Sequence, residues 1–195
     1  MAWLKAQILT YWLTGTGGGG GFAHDMVQID DRLGLPYLPA KHLKGLIRDA
    51  IDRVAHWSGQ SSPATSLLGD EGDAPGLIEM RDARLSPALG AALEQAGNQS
   101  ALFRTLRQTA MENGVAKQYS LRSSRVAIPM VLLGEIEASP DAVTLSANDA
   151  VLANAFQSWQ TTFREALPLV RAVGSGRMHG LGRVVLTLED GGETN

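Results

Sequence analysis

PYLPAKHLKGLIRDAIDRVAHW, residues 36–57, is the stretch that decides how the rest of the chain is arranged. Its apolar residues recur at helical spacing and form one stripe, made of Leu43, Leu46, Ile47, Ala50, Ile51, Val54 and Trp57. The cations Lys41, Lys44 and Arg48 fall together off that stripe. The pattern therefore predicts an amphipathic helix over residues 40–57 with one buried face and one basic face.

Segments with the composition of strands lie on both sides of this helix. They are residues 2–14, 77–85, 124–137 (one strand, or two broken at Pro129) and 184–190. A second long helix, with Ser146 as its predicted cap and Pro168 as a kink or division, has the stripe Leu152, Phe156, Trp159, Phe163 and Leu167. The order strand, helix, strand, insertion, strand, helix, strand predicts an α+β fold with a ferredoxin-like, RNA-recognition-motif-like core.

The insertion in that order covers residues 87–125, within one domain that spans residues 1–195. It is expected to contain a short helical piece near 100–110, followed by a basic segment in which Asn113-Gly114 marks a tight turn. Five consecutive glycines, Gly17 to Gly21, predict a loop after the first strand.

Composition narrows the class of protein further. The chain has 195 residues, no cysteine and no apolar run long enough to span a membrane, which favours a protein of the reducing cytoplasm without a membrane partner. The net charge of −3 argues against nucleic-acid binding, but the charge is segregated. Residues 101–125 and 164–183 carry most of the cations, and such segregation can build a basic groove on an acidic protein. Solvated helix and hairpin faces are the plainer interpretation.

Two glycine-rich stretches invite a phosphate-binding interpretation. The run after the first strand lacks the lysine of a P-loop, so a flexible connector is the better interpretation there. GSGRMHGLGR, residues 174–183, is different, because several glycines with Arg177 and Arg183 can form an anion nest, whereas a plain tight connection needs fewer glycines.

The histidines form no HExxH pair and no zinc cluster. His24-Asp25, in the loop after the five glycines, could orient a hydroxyl nucleophile or hold Mg²⁺ through oxygen. On spacing alone, a solvated loop aspartate is the favoured interpretation.

Four stretches together resemble the RAMP superfamily of CRISPR-associated proteins. PYLPAKHLKGLIRDAI (36–51) is similar to the family's P-Y-I-P-G-S-S-L-K-G-x-x-R signature, with Ala40-Lys41-His42 in place of G-S-S. Leu67-Leu68-Gly69 with LIEMRDARL (77–85), then ENGVAKQYSLRSSRVAIPMVLLGEIE (112–137) and GSGRMHGLGRV (174–184), follow in the family's order. Two further departures are Pro129-Met130 in place of a glycine and Met178-His179 in place of a small residue with arginine.

Size and the single unit look most like the repeated backbone subunit of type III effector complexes. The resemblance implies a ferredoxin-like palm, a glycine-rich C-terminal loop and a thumb hairpin at 109–125 that enters between guide and target RNA. It implies guide-RNA contacts in three places: the helix (Lys41, His42, Lys44, Arg48), the thumb (Lys117, Arg122, Arg125) and the C-terminal loop (Gly176, Arg177, Gly180, Gly182, Arg183). The implied partners are guide RNA, complementary target RNA, other effector subunits and further copies of this chain.

The same resemblance bears on catalysis. DMVQIDD (25–31) is similar to a family stretch whose aspartate cuts target RNA, which nominates Asp25 with Mg²⁺ as cofactor and His24 beside it, or Asp30 in a shifted alignment. A metal-dependent endoribonuclease acting on guide-paired RNA is therefore favoured. The alternatives are a purely structural guide-binding subunit and a processing nuclease for precursor guide RNA in which His24 is the general acid or base.

Overall fold

The computed structural model describes residues 1–15, 26–70, 75–118, 120–147 and 149–191. Its strands are β1 (Ala2–Ile8), β2 (Met26–Val27), β3 (Ile78–Met80), β4 (Phe103–Gln108), β5 (Met111–Glu112), β6 (Val115–Ala116), β7 (Arg122–Ala127), β8 (Met130–Ala138) and β9 (Val184–Asp190). Its helices are α1 (Ala40–Trp57), α2 (Ala64–Leu68), α3 (Pro87–Gln95), α4 (Ala142–Ala147) and α5 (Ala150–Ala166).

An antiparallel sheet in the order β3-β8-β1-β9 forms the centre of the fold. β1 is an inner strand, since Leu4 is paired with Gly134 on one side and with Leu188 on the other. The predicted final strand is confirmed at its stated bounds, whereas β1 ends at Ile8, before the predicted Thr14. The chain bends after Ile8, and Trp12 forms a bridge to Ala127 in a second sheet.

The core lies on one face of the central sheet, against α1 and α5. Leu4 and Ala6 of β1 are fully buried there, while Trp3 and Lys5 alternate onto the other face. α1 has the predicted bounds, but its buried stripe ends at Ala55, because Trp57 is 68% exposed. Trp57 lies fourteen positions, or about 21 Å along the helix axis, beyond buried Leu43.

The insertion differs from its prediction in secondary structure. The expected helical piece near 100–110 is wrong: a 3-10 turn at Gln99–Leu102 leads directly into β4, and the helix of the insertion is α3. Short apolar runs do not distinguish strand from helix by periodicity, whereas Ser86 and Pro87 are a helix start. The Ser86 hydroxyl accepts the N–H of Leu89.

A long hairpin follows α3, and we call residues 103–127 the hairpin arm. β4 pairs antiparallel with β7, β5 pairs with β6, and β2 adds a parallel strand beside β7. The turn prediction at Asn113-Gly114 is confirmed, since both residues have positive φ, 51° and 79°, as a type I′ turn requires. The arm is buried at its base and exposed beyond it.

The break predicted at Pro129 is real and separates β7 in the second sheet from β8 in the central sheet. The predicted cap Ser146 is wrong, because it lies inside α4. The cap of α5 is Asp149, whose carboxylate accepts the N–H of Val151 at 2.8 Å and that of Leu152 at 3.2 Å. α5 ends at Ala166, and Pro168 continues it as a 3-10 turn. No helix in the described part of the chain is long and apolar enough to cross a membrane.

Candidate nucleic-acid interface

The N-terminus of α1 carries three of the predicted RNA-binding residues, Lys41, His42 and Lys44. It is capped by a residue that is distant in the sequence. Its cap position is Pro39, which supplies no side-chain cap. Asp82 fills that role, because its Oδ1 accepts the N–H of Ala40 at 2.9 Å. The other carboxylate oxygen pairs with Arg84 at 3.0 Å. Asp82 was missed by the sequence analysis, since no local spacing connects it to a helix that starts 42 residues earlier.

The glycine-rich loop, defined here as residues 174–182, is closed at its ends by a hydrogen bond from the N–H of Val173 to the carbonyl of Gly182, 2.8 Å long. Gly174, Gly176, Gly180 and Gly182 all have φ between 67° and 80°. A Cβ at Gly182 would lie 1.9 Å from the carbonyl oxygen of Val173, so this glycine is required by the protein's own packing. A Cβ at Gly180 would meet nothing within 4 Å, so this position faces open space.

α1 and the glycine-rich loop meet at His42. The backbone N–H of Gly174 donates to Nε2 of His42 at 2.8 Å, and on the other side of the loop the N–H of Ser175 donates to the carbonyl of Leu13. Burial and the nearby Arg177 guanidinium, in that order, lower the pKa of His42 below its usual 6.5. The structure therefore gives His42 a neutral side chain with an internal partner at neutral pH.

Side-chain cations divide into two groups by whether they have an internal partner. Those that pair with carboxylates are Lys5, Arg53, Arg81, Arg84, Lys117, Arg125 and Arg164. Arg48 donates to the carbonyl of Gly69, and Arg104 donates to two carbonyls of its own chain segment. The side chains of Arg32, Lys41, Lys44, Arg107, Arg122, Arg171, Arg177 and Arg183 have no hydrogen-bond or ion-pair partner among the described residues.

Seven of these eight cations lie in three places, and the eighth, Arg32, is in the segment before α1. Lys41 and Lys44 are on α1; Arg171, Arg177 and Arg183 flank or lie in the glycine-rich loop that α1 contacts; Arg107 and Arg122 are exposed on the hairpin arm. On the face of the central sheet away from α1 and α5, by contrast, cations are paired with carboxylates. Lys5 forms an ion pair with Glu189 at 2.9 Å, and Arg81 forms one with Glu137 at 2.9 Å. Cations left free in groups attract an anionic chain, whereas paired cations do not.

Asp30, the alternative catalytic residue, is engaged at the base of the hairpin arm. Its carboxylate pairs with Arg125 at 3.1 Å, and the Arg125 guanidinium also lies 3.5 Å from the centre of the Phe103 ring. Two predicted site residues, Asp30 and Arg125, are thus brought together as partners of each other. At the tip of the arm, Lys117 pairs with Glu112 at 3.6 Å and both side chains are largely exposed.

His24 and Asp25 lie outside the described residues, as do the five glycines. Gln28, which follows them and is fully buried, forms hydrogen bonds to Thr14, which precedes them. Its Nε2 donates to the hydroxyl of Thr14 at 2.8 Å, and its Oε1 accepts the N–H of Thr14. Among the described residues, no group of three or more His, Asp or Glu side chains comes together as a metal site.

Comparison with known proteins gives one family and one fold. The model of the RAMP superfamily matches residues 5–185. Two solved structures of a type III-B Cmr-beta complex, one bound to cognate target RNA and one in the apo state, contain chains similar to this one. They are 12% and 13% identical, cover 96% of both chains and give a TM-score of 0.63. No curated protein matches the chain.

Proposed function

This chain belongs to the RAMP superfamily, and on that premise we propose that it is a guide-RNA-binding backbone subunit of a type III CRISPR effector complex. The likeness to chains of a type III-B complex over nearly the full length supports the type of complex. The implied partners are guide RNA, complementary target RNA, other effector subunits and further copies of this chain.

The observation that carries the proposal is the grouping of unpartnered cations on α1, the glycine-rich loop and the hairpin arm. On a protein with net charge −3, cations left without internal partners on connected elements favour a polyanionic ligand. Lysine and arginine contacts to phosphates carry no base specificity, so sequence would be read by pairing between guide and target.

The strand order supports a ferredoxin-like palm. Taking β1, β3, β8 and β9 as the four strands of the core, with α1 and α5 as the crossovers, the sheet order is 2-3-1-4 with every pair antiparallel. The hairpin arm is inserted between the second and third of these strands and extends beyond the core, which supports its role as the thumb.

Cleavage of target RNA is a further part of the proposal and rests on the resemblance of residues 25–31 to the family stretch. Asp25 would hold Mg²⁺, with His24 beside it; the metal would stabilise charge on the scissile phosphate. Asp30 is the weaker candidate, because its carboxylate already faces the guanidinium of Arg125. A structural subunit without cleavage, and a processing nuclease in which His24 is the acid or base, are the competing functions.

Recovery of RNA with the purified protein tests the proposal. A backbone subunit should co-purify with mature guide RNA in particles that contain several copies of the chain, seen as a mass ladder in native mass spectrometry. A monomer that cuts repeat RNA without metal would support the processing nuclease and contradict the backbone role. Protein free of RNA that fails to bind guide RNA at low salt would contradict both.

A further inference from the structure

The hydrogen bond between Gly174 and His42 connects two of the groups of free cations. His42 is in the first turn of α1, directly after Lys41, and Gly174 is the first residue of the loop that carries Arg177. Gly174 is confined on its other side as well, because a Cβ there would lie 2.2 Å from the carbonyl oxygen of Leu13. The loop is thus held between the Leu13 backbone and a single imidazole of α1.

We propose that His42 is a positioning residue: as a neutral acceptor it holds the glycine-rich loop against α1, and it does not itself bind RNA phosphate. The inference rests on the proposed function, since RNA binding is what the cations Lys41 on α1 and Arg177 on the loop would serve. It differs from the role implied by the sequence resemblance, in which His42 is one more cation on the guide.

The direction of the hydrogen bond fixes the chemistry of the ring. An imidazole nitrogen that accepts an N–H carries no proton, so neutral His42 must hold its proton on Nδ1. A second proton would go to Nε2, which would then face the Gly174 N–H as another donor. Protonation therefore breaks this contact between α1 and the loop, while the backbone hydrogen bond from Ser175 to the Leu13 carbonyl stays.

The charge of Arg177 acts against protonation of His42 as well. Arg177 faces it from the loop, Lys41 and Lys44 flank it on α1, and the Leu13–Thr14 segment behind Gly174 has no titratable side chain. Burial and Arg177 keep the pKa of His42 below 6.5 in the folded chain. The unfolded chain thus binds this proton more readily, so the contact is fully present above pH 6.5 and is lost as pH falls through the folded value.

The experiment is a titration of guide-RNA binding from pH 8 to pH 5 at fixed salt. All variants carry His179→Gln, because exposed His179 is a second imidazole on the same loop. We expect the affinity of the parent to fall at low pH by about two- to tenfold, the weight of one hydrogen bond. The amide oxygen of His42→Gln accepts a hydrogen bond but does not titrate. This variant should bind RNA with the parent's affinity at pH 8, and its affinity should not fall at low pH. His42→Ala should bind weakly throughout.

A phosphate-binding His42 predicts the opposite sign, an affinity that rises as pH falls and is weakened by His42→Gln, and that result would overturn the proposal. Nitrogen-15 NMR of the imidazole gives a second readout without RNA. A proton on Nε2 at pH 8, or a pKa above 6.5, would also overturn it. If the parent binds no RNA at any pH, the proposed function fails, while the NMR result still decides whether His42 holds the loop.

Discussion

Arg125 of β7 and Asp30 of the segment before α1 form an ion pair 3.1 Å long, and this pair fastens the base of the hairpin arm to the rest of the molecule. The same guanidinium covers the ring of Phe103, which is the first residue of β4 and is buried. One side chain thus connects both strands of the arm to the segment that follows β2. The arrangement gives Arg125 an internal role in addition to any contact with RNA.

Replacement of Arg125 by alanine should lower the free energy of unfolding by about 1–2 kcal/mol, through loss of a partly buried ion pair and a cation–π contact. Asp30→Asn should cost less, because the amide still accepts a hydrogen bond. Urea denaturation of both single variants and the double variant gives the coupling energy. A coupling of zero would mean that the pair does not fasten the arm.

The contact between Asp82 and α1 predicts a second stability effect. Asp82→Ala should destabilise the protein by about 1–2 kcal/mol, because the Ala40 N–H loses its acceptor and the helix N-terminus loses a nearby negative charge. Asp82→Asn should keep part of the stabilisation that Asp82→Ala loses, since its amide oxygen can accept the same N–H. Equal loss in both variants would assign the whole effect to charge, and thermal melting distinguishes these outcomes.

The separation of free from bonded cations predicts different behaviour for neighbours on α1. Lys44→Ala should reduce the salt dependence of RNA binding, log K against log salt, by about 0.7 per lost phosphate contact, with no change in melting temperature. Arg48→Ala, unlike Lys44→Ala, should also lower the melting temperature, because the Arg48 guanidinium donates to the Gly69 carbonyl. An unchanged salt slope in Lys44→Ala would remove Lys44 from the interface, and an unchanged slope in Lys41→Ala as well would remove α1.

The two long helices and the order of core elements could be predicted from the sequence because each rests on local periodicity. α1 keeps a helical stripe over eighteen residues, and β9 alternates between two strong end signals. The hairpin arm could not be predicted in detail, since Phe103 and Leu106 suit a helix as well as a strand, and only pairing with β7 makes them β. Tertiary contacts override such short signals.

The candidate site shows the same limit. The sequence nominated Arg122 and Arg125 together as RNA contacts, but it could not separate Arg125, which has Asp30 as a partner, from Arg122, which has no partner in the described structure. Nor could it show that the imidazole of His42 receives a hydrogen bond from a residue 132 positions away. Pairing is a property of the folded chain.

Substitution by alanine should have different effects on stability at two glycines of the glycine-rich loop. Gly182→Ala places a Cβ against the Val173 carbonyl and should destabilise the fold by more than about 3 kcal/mol. Gly180→Ala meets no atom and should cost about 1–2 kcal/mol from its positive φ alone. Gly180→Asn, which tolerates that backbone, is the control. Melting and RNA affinity measured together would show whether Gly180 approaches phosphate: its variants should then lose affinity beyond their loss of stability.

The last prediction concerns target cleavage. In an assembled complex with matched target RNA and Mg²⁺, Asp25→Ala should abolish cutting while guide binding and assembly stay intact, because the carboxylate would be needed only to position charge at the scissile phosphate. Asp30→Ala is the matched control. Its loss breaks the ion pair with Arg125, so it should lower stability and leave cutting at saturating protein near the wild-type rate. Cutting that is lost in Asp30→Ala and kept in Asp25→Ala would transfer the role to Asp30. Cutting at the wild-type rate in both would remove residues 25–31 from the mechanism, and no cutting by the wild-type complex would favour the purely structural subunit.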